Sequence, residues 1–104
     1  MSSPTQRSLK HLRDQGYTVW IVEHWNAFSR KRVDLFGIFD LLCLRGEETL
    51  AVQTTSGGNV SARVKKISDS EYLPAVRTAG WRIAVHGWVK QANGKYRLRE
   101  VDLS

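Results

Sequence analysis

One acid inside an otherwise apolar run constrains this chain more than any other feature. Asp40 stands in Ile38-Phe39-Asp40-Leu41-Leu42-Cys43-Leu44, between residues that belong in a core. Burying an ionised carboxylate is costly unless hydrogen bonds, an opposite charge or a metal compensate it. The run ends at Arg45-Gly46-Glu47-Glu48, and a second strand-like run, Thr49 to Thr55, follows. Gly46 can lead a two-residue type II′ turn, a geometry that places glycine first. A four-residue loop over Arg45 to Glu48 gives the same register. Arg45 then faces Glu48 as an opposite-charge cross-strand pair. Leu44 faces Thr49, Leu42 faces Ala51, and Asp40 faces Gln53. Side chains two apart share a face, so Thr55 joins Gln53. The hairpin thus gathers Asp40, Gln53 and Thr55 on one surface.

The chain has 104 residues, 41% of them apolar, which suits a single domain over residues 1–104 with a real core. Its net charge of +6 makes a polyanion the first partner to consider, a merely basic protein being the other reading of the same charge. One cysteine excludes an internal disulfide and fits a reducing compartment. Cys43 reads as core. No apolar segment is long enough to span a bilayer and no signal peptide is visible, so the expectation is a cytoplasmic protein without a membrane partner. No second histidine or cysteine stands at zinc spacing, which argues against a structural zinc.

Met1 to Pro4 read as a frayed end. Thr5 is placed to cap a helix running to about Gln15, with Leu9 and Leu12 inward and His11 on the surface. Tyr17 to Trp25 is β-branched and aromatic and reads as one strand. Glu23 near its end has two readings: a ligand reaching a metal on the neighbouring strand, or a partner for a nearby arginine. Asn26 to Gly37 follows neither periodicity and reads as a loop. Within it Arg30, Lys31 and Arg32 lie beside Trp25 and Phe28. Cations interleaved with aromatics suit a phosphate backbone and unstacked bases, a solvated loop being the alternative. Asp34 either caps the turn into the next strand or stands as an acid behind the site.

Ser56 to Asn59 breaks the pattern. A helix with Val60, Val64 and Ile67 inward comes next, carrying Arg63, Lys65 and Lys66 elsewhere on its surface. Pro74 opens a second short helix that stops at Gly80. Trp81 to Lys90 and Lys95 to Leu103 form a hairpin about Asn93-Gly94. With Ala92 facing Lys95, Trp88 faces Arg99 as a cation–π pair and His86 faces Val101. The element order is helix, three strands, helical region, two strands. It predicts an α+β domain with helices flanking a mixed central sheet.

That order, with Gly37, Asp40, Leu41, Leu42, Arg45, Gly46 and Glu47 followed by Val52, Gln53, Thr55 and Ser56, resembles the PD-(D/E)XK nuclease superfamily, the restriction-endonuclease-like fold of αβββαββ order. The nearest likeness is to small Holliday-junction-resolvase-like and VRR-NUC-type members. The architecture covers nearly the whole chain, and the motif evidence lies between Asp34 and Lys66. The resemblance implies Mg²⁺ or Mn²⁺ as cofactor, DNA, branched or duplex, as substrate, and possible homodimers. By position Asp40 matches the family's aspartate, Gln53 its second acid and Thr55 its lysine, so QxT stands where the family has (D/E)xK. Lys65, Lys66 or Arg63 would then replace the lysine from the helix, Lys65 foremost. The implied metal ligands are Asp40, Gln53, Thr54 and Glu23. Arg30, Lys31, Arg32, Arg63 and Lys66 would grip nucleic acid. The implied function is structure-specific endonucleolytic cleavage, with a catalytically silent nucleic-acid-binding module of the same fold as the alternative.

Overall fold

A computed structural model of the chain describes residues 3–104. Helix α1 spans Pro4–Asp14, with Pro4 in its first turn and the Ser3 hydroxyl accepting from the Gln6 N–H at 3.1 Å. Ser3 is therefore the cap, and Pro4 and Thr5 lie inside the helix. Met1 and Ser2, expected to fray, are outside the described residues. The strands are β1 Thr18–Ile21, β2 His24–Asn26, β3 Lys31–Val33, β4 Leu41–Arg45, β5 Glu48–Ser56, β6 Arg82–Lys90 and β7 Tyr96–Asp102. Helices α2 (Val60–Ser68) and α3 (Leu73–Thr78) connect β5 to β6.

Five strands form one sheet in the order β1-β4-β5-β6-β7, and β2 and β3 form a separate ribbon. Only the β5–β6 pair is parallel. Parallel neighbours need a crossover, and α2 with α3 supplies it. The expected α+β architecture with a mixed sheet is therefore present. Alternation sorts the core into two layers. Leu50 and Val52 of β5 and Ala84 of β6 pack with Leu12 of α1, Val19, Leu41 and Cys43. Ala51, Ile83 and Val85 pack on the other face with Val60, Ile67, Leu73 and Val76 from the two crossover helices. Gly87 permits the second contact, since a Cβ there would lie 2.2 Å from Val60 Cγ2.

The β4–β5 register is the expected one: Arg45 pairs with Glu48, Leu44 with Thr49 and Leu42 with Ala51. Two other expectations fail. Tyr17 to Trp25 is not one strand. β4 begins at Leu41, which pairs with Ile21, and the Val22 N–H donating to Asp40 O at 2.9 Å is the last bond between the two segments. The chain leaves the sheet and pairs His24–Asn26 with Lys31–Val33, inside the segment read as a loop.

The last hairpin is shifted by one residue: Trp88 pairs with Leu98 and His86 with Glu100, not with Arg99 and Val101. The Gly94 N–H donates to Gln91 O at 3.0 Å, Gly94 has φ +83°, and the Gln91 N–H donates to Lys95 O. This is a turn closed by a left-handed glycine bulge, one residue longer than an Asn-Gly two-residue turn. A slip of one residue changes every partner. Trp88 consequently donates its indole N–H to Ser8 Oγ on α1 at 2.8 Å, and Arg7 lies over the Tyr96 ring of β7 at 3.5 Å as a cation–π pair. Among the described residues no helix is long and apolar enough to cross a membrane.

Candidate metal centre

Three segments far apart in the fold's connectivity meet at one end of the β4–β5 hairpin. β4 starts at Leu41, so β5 runs on past its neighbour. Asp40 fills the gap: its Oδ2 accepts from the backbone N–H of Thr54 at 2.7 Å, from Gln53 Nε2 at 2.7 Å and from Thr54 Oγ1 at 3.0 Å. The carboxylate thus takes the place of a ladder carbonyl. Thr54 is held from behind by the Thr5 hydroxyl of α1 at 2.8 Å.

Asp34 reaches the same point through a tight turn. The Gly37 N–H donates to Asp34 O, Leu35 and Phe39 form an isolated bridge, and Phe36 sits at φ +55°. A bridge between Leu35 and Phe39 leaves the next residues outward, Asp34 and Asp40, side by side. Glu23 comes from the segment between β1 and β2. One oxygen from each of Glu23, Asp34 and Asp40 lies within 4.8 Å of the others.

Asp40 is 4% exposed and Gln53 2% exposed. Burial pushes the Asp40 carboxyl above the ordinary carboxylate range, the Thr54 N–H pulls it back down, and the nearby Asp34 charge raises it again. All three hydrogen bonds to Asp40 fall on Oδ2. Gln53 spends its amide nitrogen on Asp40, and its Oε1 is buried without a hydrogen-bond partner. An unsatisfied buried acceptor costs about 1–3 kcal/mol. The donors here are three carboxylates and one amide oxygen, all hard. Such a set fits a hard divalent cation, which would offset the repulsion among the acids.

The cluster opens into a groove of about 450 Å³ lined by Glu23, Asp34, Asp40, Gln53, Thr54, Thr55, Ser56, Asn59 and Arg63, with Pro4 and Thr5 behind. The expected Asp40–Gln53–Thr55 surface is therefore present. Thr54 belongs to it too, holding Asp40 through both backbone and hydroxyl. The reading of Glu23 as a partner for a nearby arginine is met, by Arg32 at 2.8 Å, and Glu23 also lies in the acidic trio. Asp34, read only as a cap or a supporting acid, is a full member. The signal for it was its distance from Asp40 across a Gly37-containing turn.

The helix cations divide. Arg63 lines the groove. Lys66 lies 3.8 Å from Asp34. Lys65, expected to stand in for the catalytic lysine, is not brought in: its ammonium pairs with Asp69 four residues on, in solvent, at 2.8 Å. An i,i+4 partner on the same helix face captures it locally. Arg32 is likewise held by Glu23, while Arg30 and Lys31 lie in the ribbon and make no ion pair among the described residues. Comparison with protein-family models, with curated proteins and with solved structures gave no match to this chain.

Proposed function

We propose that this chain is a metal-dependent nuclease that hydrolyses phosphodiester bonds of DNA on a restriction-endonuclease-like fold. The observation that carries the reading is the meeting of Glu23, Asp34 and Asp40 beside the unpartnered Gln53 Oε1, in a groove bordered by Arg63. The order α1, β1, β4, β5, α2, β6, β7 supports the αβββαββ assignment once the β2–β3 ribbon and the short helix α3 are set aside. Asp34 and Glu23 bring the charge that Gln53 lacks in the acid's position.

Asp40, Asp34, Glu23 and Gln53 would hold Mg²⁺ or Mn²⁺, which would supply Lewis-acid chemistry at a phosphoryl oxygen and a water of lowered pKa. The chain's own residues do the rest. Thr54 and Gln53 fix the Asp40 carboxylate so that it need not reorganise. Arg63 is always charged and presents a planar fork, so it binds and orients a phosphate and stabilises charge that builds on it. The net charge of +6 brings the polyanion to the groove.

Incubation with linear and branched DNA in Mg²⁺ or Mn²⁺ tests the reading. Cleavage is expected from wild type and is lost at least tenfold in Asp40→Ala and Asp34→Asn. Wild-type cleavage no greater than that of Asp40→Ala ends it. A second reading, a silent binding module of the same fold, is favoured by one observation: among the described residues lining the groove Arg63 is the one cation, and Lys65 is engaged elsewhere. That reading expects salt-sensitive DNA binding that ignores divalent metal and is unchanged by Asp40→Asn.

A further inference from the structure

The β2–β3 ribbon is a sheet separate from the main one and carries two exposed aromatic side chains. Phe28 at its tip is 102% exposed and Trp25 is 62% exposed. Leaving a phenylalanine wholly in water forgoes the burial that stabilises most of its kind. Among the described residues nothing covers it. The tip is nonetheless a built turn. Asn26 Oδ1 accepts from the Phe28 N–H at 2.9 Å and from the Ser29 N–H at 3.2 Å, and Arg30 holds φ +53°. Phe28 is presented, not left on a loose loop.

The charge beside it is of one sign. Arg30, Lys31 and Arg32 follow Phe28 within four residues. Arg32 faces Trp25 across the ribbon and reaches back to Glu23 of the acidic trio. That ion pair ties the base of the ribbon to the groove. Phe28 is five residues from Glu23, so at roughly 3.3 Å per extended residue its backbone lies no more than about 17 Å from that of Glu23. A DNA strand advances about 3.4 Å per nucleotide, so one strand can reach both within about five nucleotides.

We propose that the β2–β3 ribbon is a stacking finger for unpaired nucleobases: Phe28 takes the face of a base that has left its stack, and Arg30 and Lys31 take the adjoining phosphates. The substrate class is thereby nucleic acid with unpaired positions, such as a bulge, fork or junction, in preference to continuous duplex. A π-face is sequence-neutral, so the finger selects shape and not sequence. The inference rests on the nucleic-acid reading of the adjoining groove but not on catalysis.

The test uses the full chain without divalent metal, by fluorescence anisotropy at fixed ionic strength. The probes are a continuous duplex and the same duplex carrying a bulge with 2-aminopurine at the unpaired position. Wild type is expected to bind the bulged DNA roughly fivefold to a hundredfold more tightly, the range that one base–aromatic stack supplies, and to quench the 2-aminopurine. In Phe28→Ala the ratio of the two affinities falls to within about twofold and the quenching is lost, while Phe28→Trp restores both. Equal binding of the two DNAs by wild type, or a preference surviving in Phe28→Ala, overturns the proposal. Circular dichroism melting establishes that the variants are folded, as expected for a fully exposed site. Phe28-dependent binding to phosphatidylserine–phosphatidylcholine vesicles, without discrimination between the DNAs, assigns the tip to a membrane surface and also overturns it. Discrimination of the bulge by a protein that cleaves nothing in Mn²⁺ supports the finger and defeats only the catalytic reading. Cleavage without discrimination does the reverse.

Discussion

Asp40 is the residue on which the site turns, and its environment gives a sign to pH dependence. Its native carboxyl titrates above the ordinary value, chiefly through burial. As pH rises from about 4, the unfolded chain ionises this group first. The native state then holds the extra proton, so this contribution to stability is lost as pH climbs through the native value. The melting temperature of Asp40→Asn minus that of wild type should therefore be small near pH 4 and grow toward neutrality, without divalent metal. A constant difference across that range contradicts the account. Mn²⁺ should close the gap by stabilising wild type alone, by about 2.7 kcal/mol at a hundredfold excess over its dissociation constant. His86 is the other buried titratable group of note. Burial lowers its pKa and the Glu100 carboxylate opposes that shift. Ser8 Oγ meets its Nδ1 at 3.0 Å and Glu100 Oε2 its Nε2 at 2.8 Å. Trp88 already donates to Ser8, so the Ser8 hydroxyl donates to Nδ1 and the proton sits on Nε2. Nitrogen chemical shifts should report a neutral Nε2–H ring down to a pH below the ordinary histidine value of about 6.5. An Nδ1–H ring excludes this chain of donors.

At the scale of elements, the hairpins divide what a sequence tells from what it conceals. The β4–β5 register was legible because Arg45 and Glu48, an alternating apolar pattern and a glycine-led turn all favour one pairing. In β6–β7 the Asn93-Gly94 turn was legible but its register was not. The same dipeptide serves a two-residue turn or a bulged one, and α1 packing on Trp88 and His86 selects the second. The β2–β3 ribbon was missed because three-residue strands with exposed faces leave almost no periodic trace. The contact between β6 and α2 depends on Gly87, where a Cβ meets Val60. Gly87→Ala should destabilise by about 1–3 kcal/mol through overpacking. Chemical denaturation measures it, and Val60→Ala in the same chain should recover part of the loss. No recovery means that the cost arises elsewhere.

For the whole molecule, charge governs how a polyanion is met. Arg63 lies in the groove while Lys65 is bound to Asp69. Arg63→Ala should weaken DNA binding and reduce the slope of log affinity against log salt by about 0.9, and Lys65→Ala should change it less. Equal effects would mean diffuse attraction, not a groove. The candidate site was half legible. Asp40, Gln53 and Thr55 share one face of one hairpin, so alternation and a turn suffice to relate them. By itself the sequence determined the α+β class, the two apolar faces and the pairing of Asp40 with Gln53, because these follow from relations between residues close along the chain. Only the tertiary structure decided that Glu23 and Asp34 join Asp40, that Lys65 does not, and that Phe28 stands in water. Those outcomes depend on where one strand stops and another segment packs, a balance of distant contacts that no local pattern encodes.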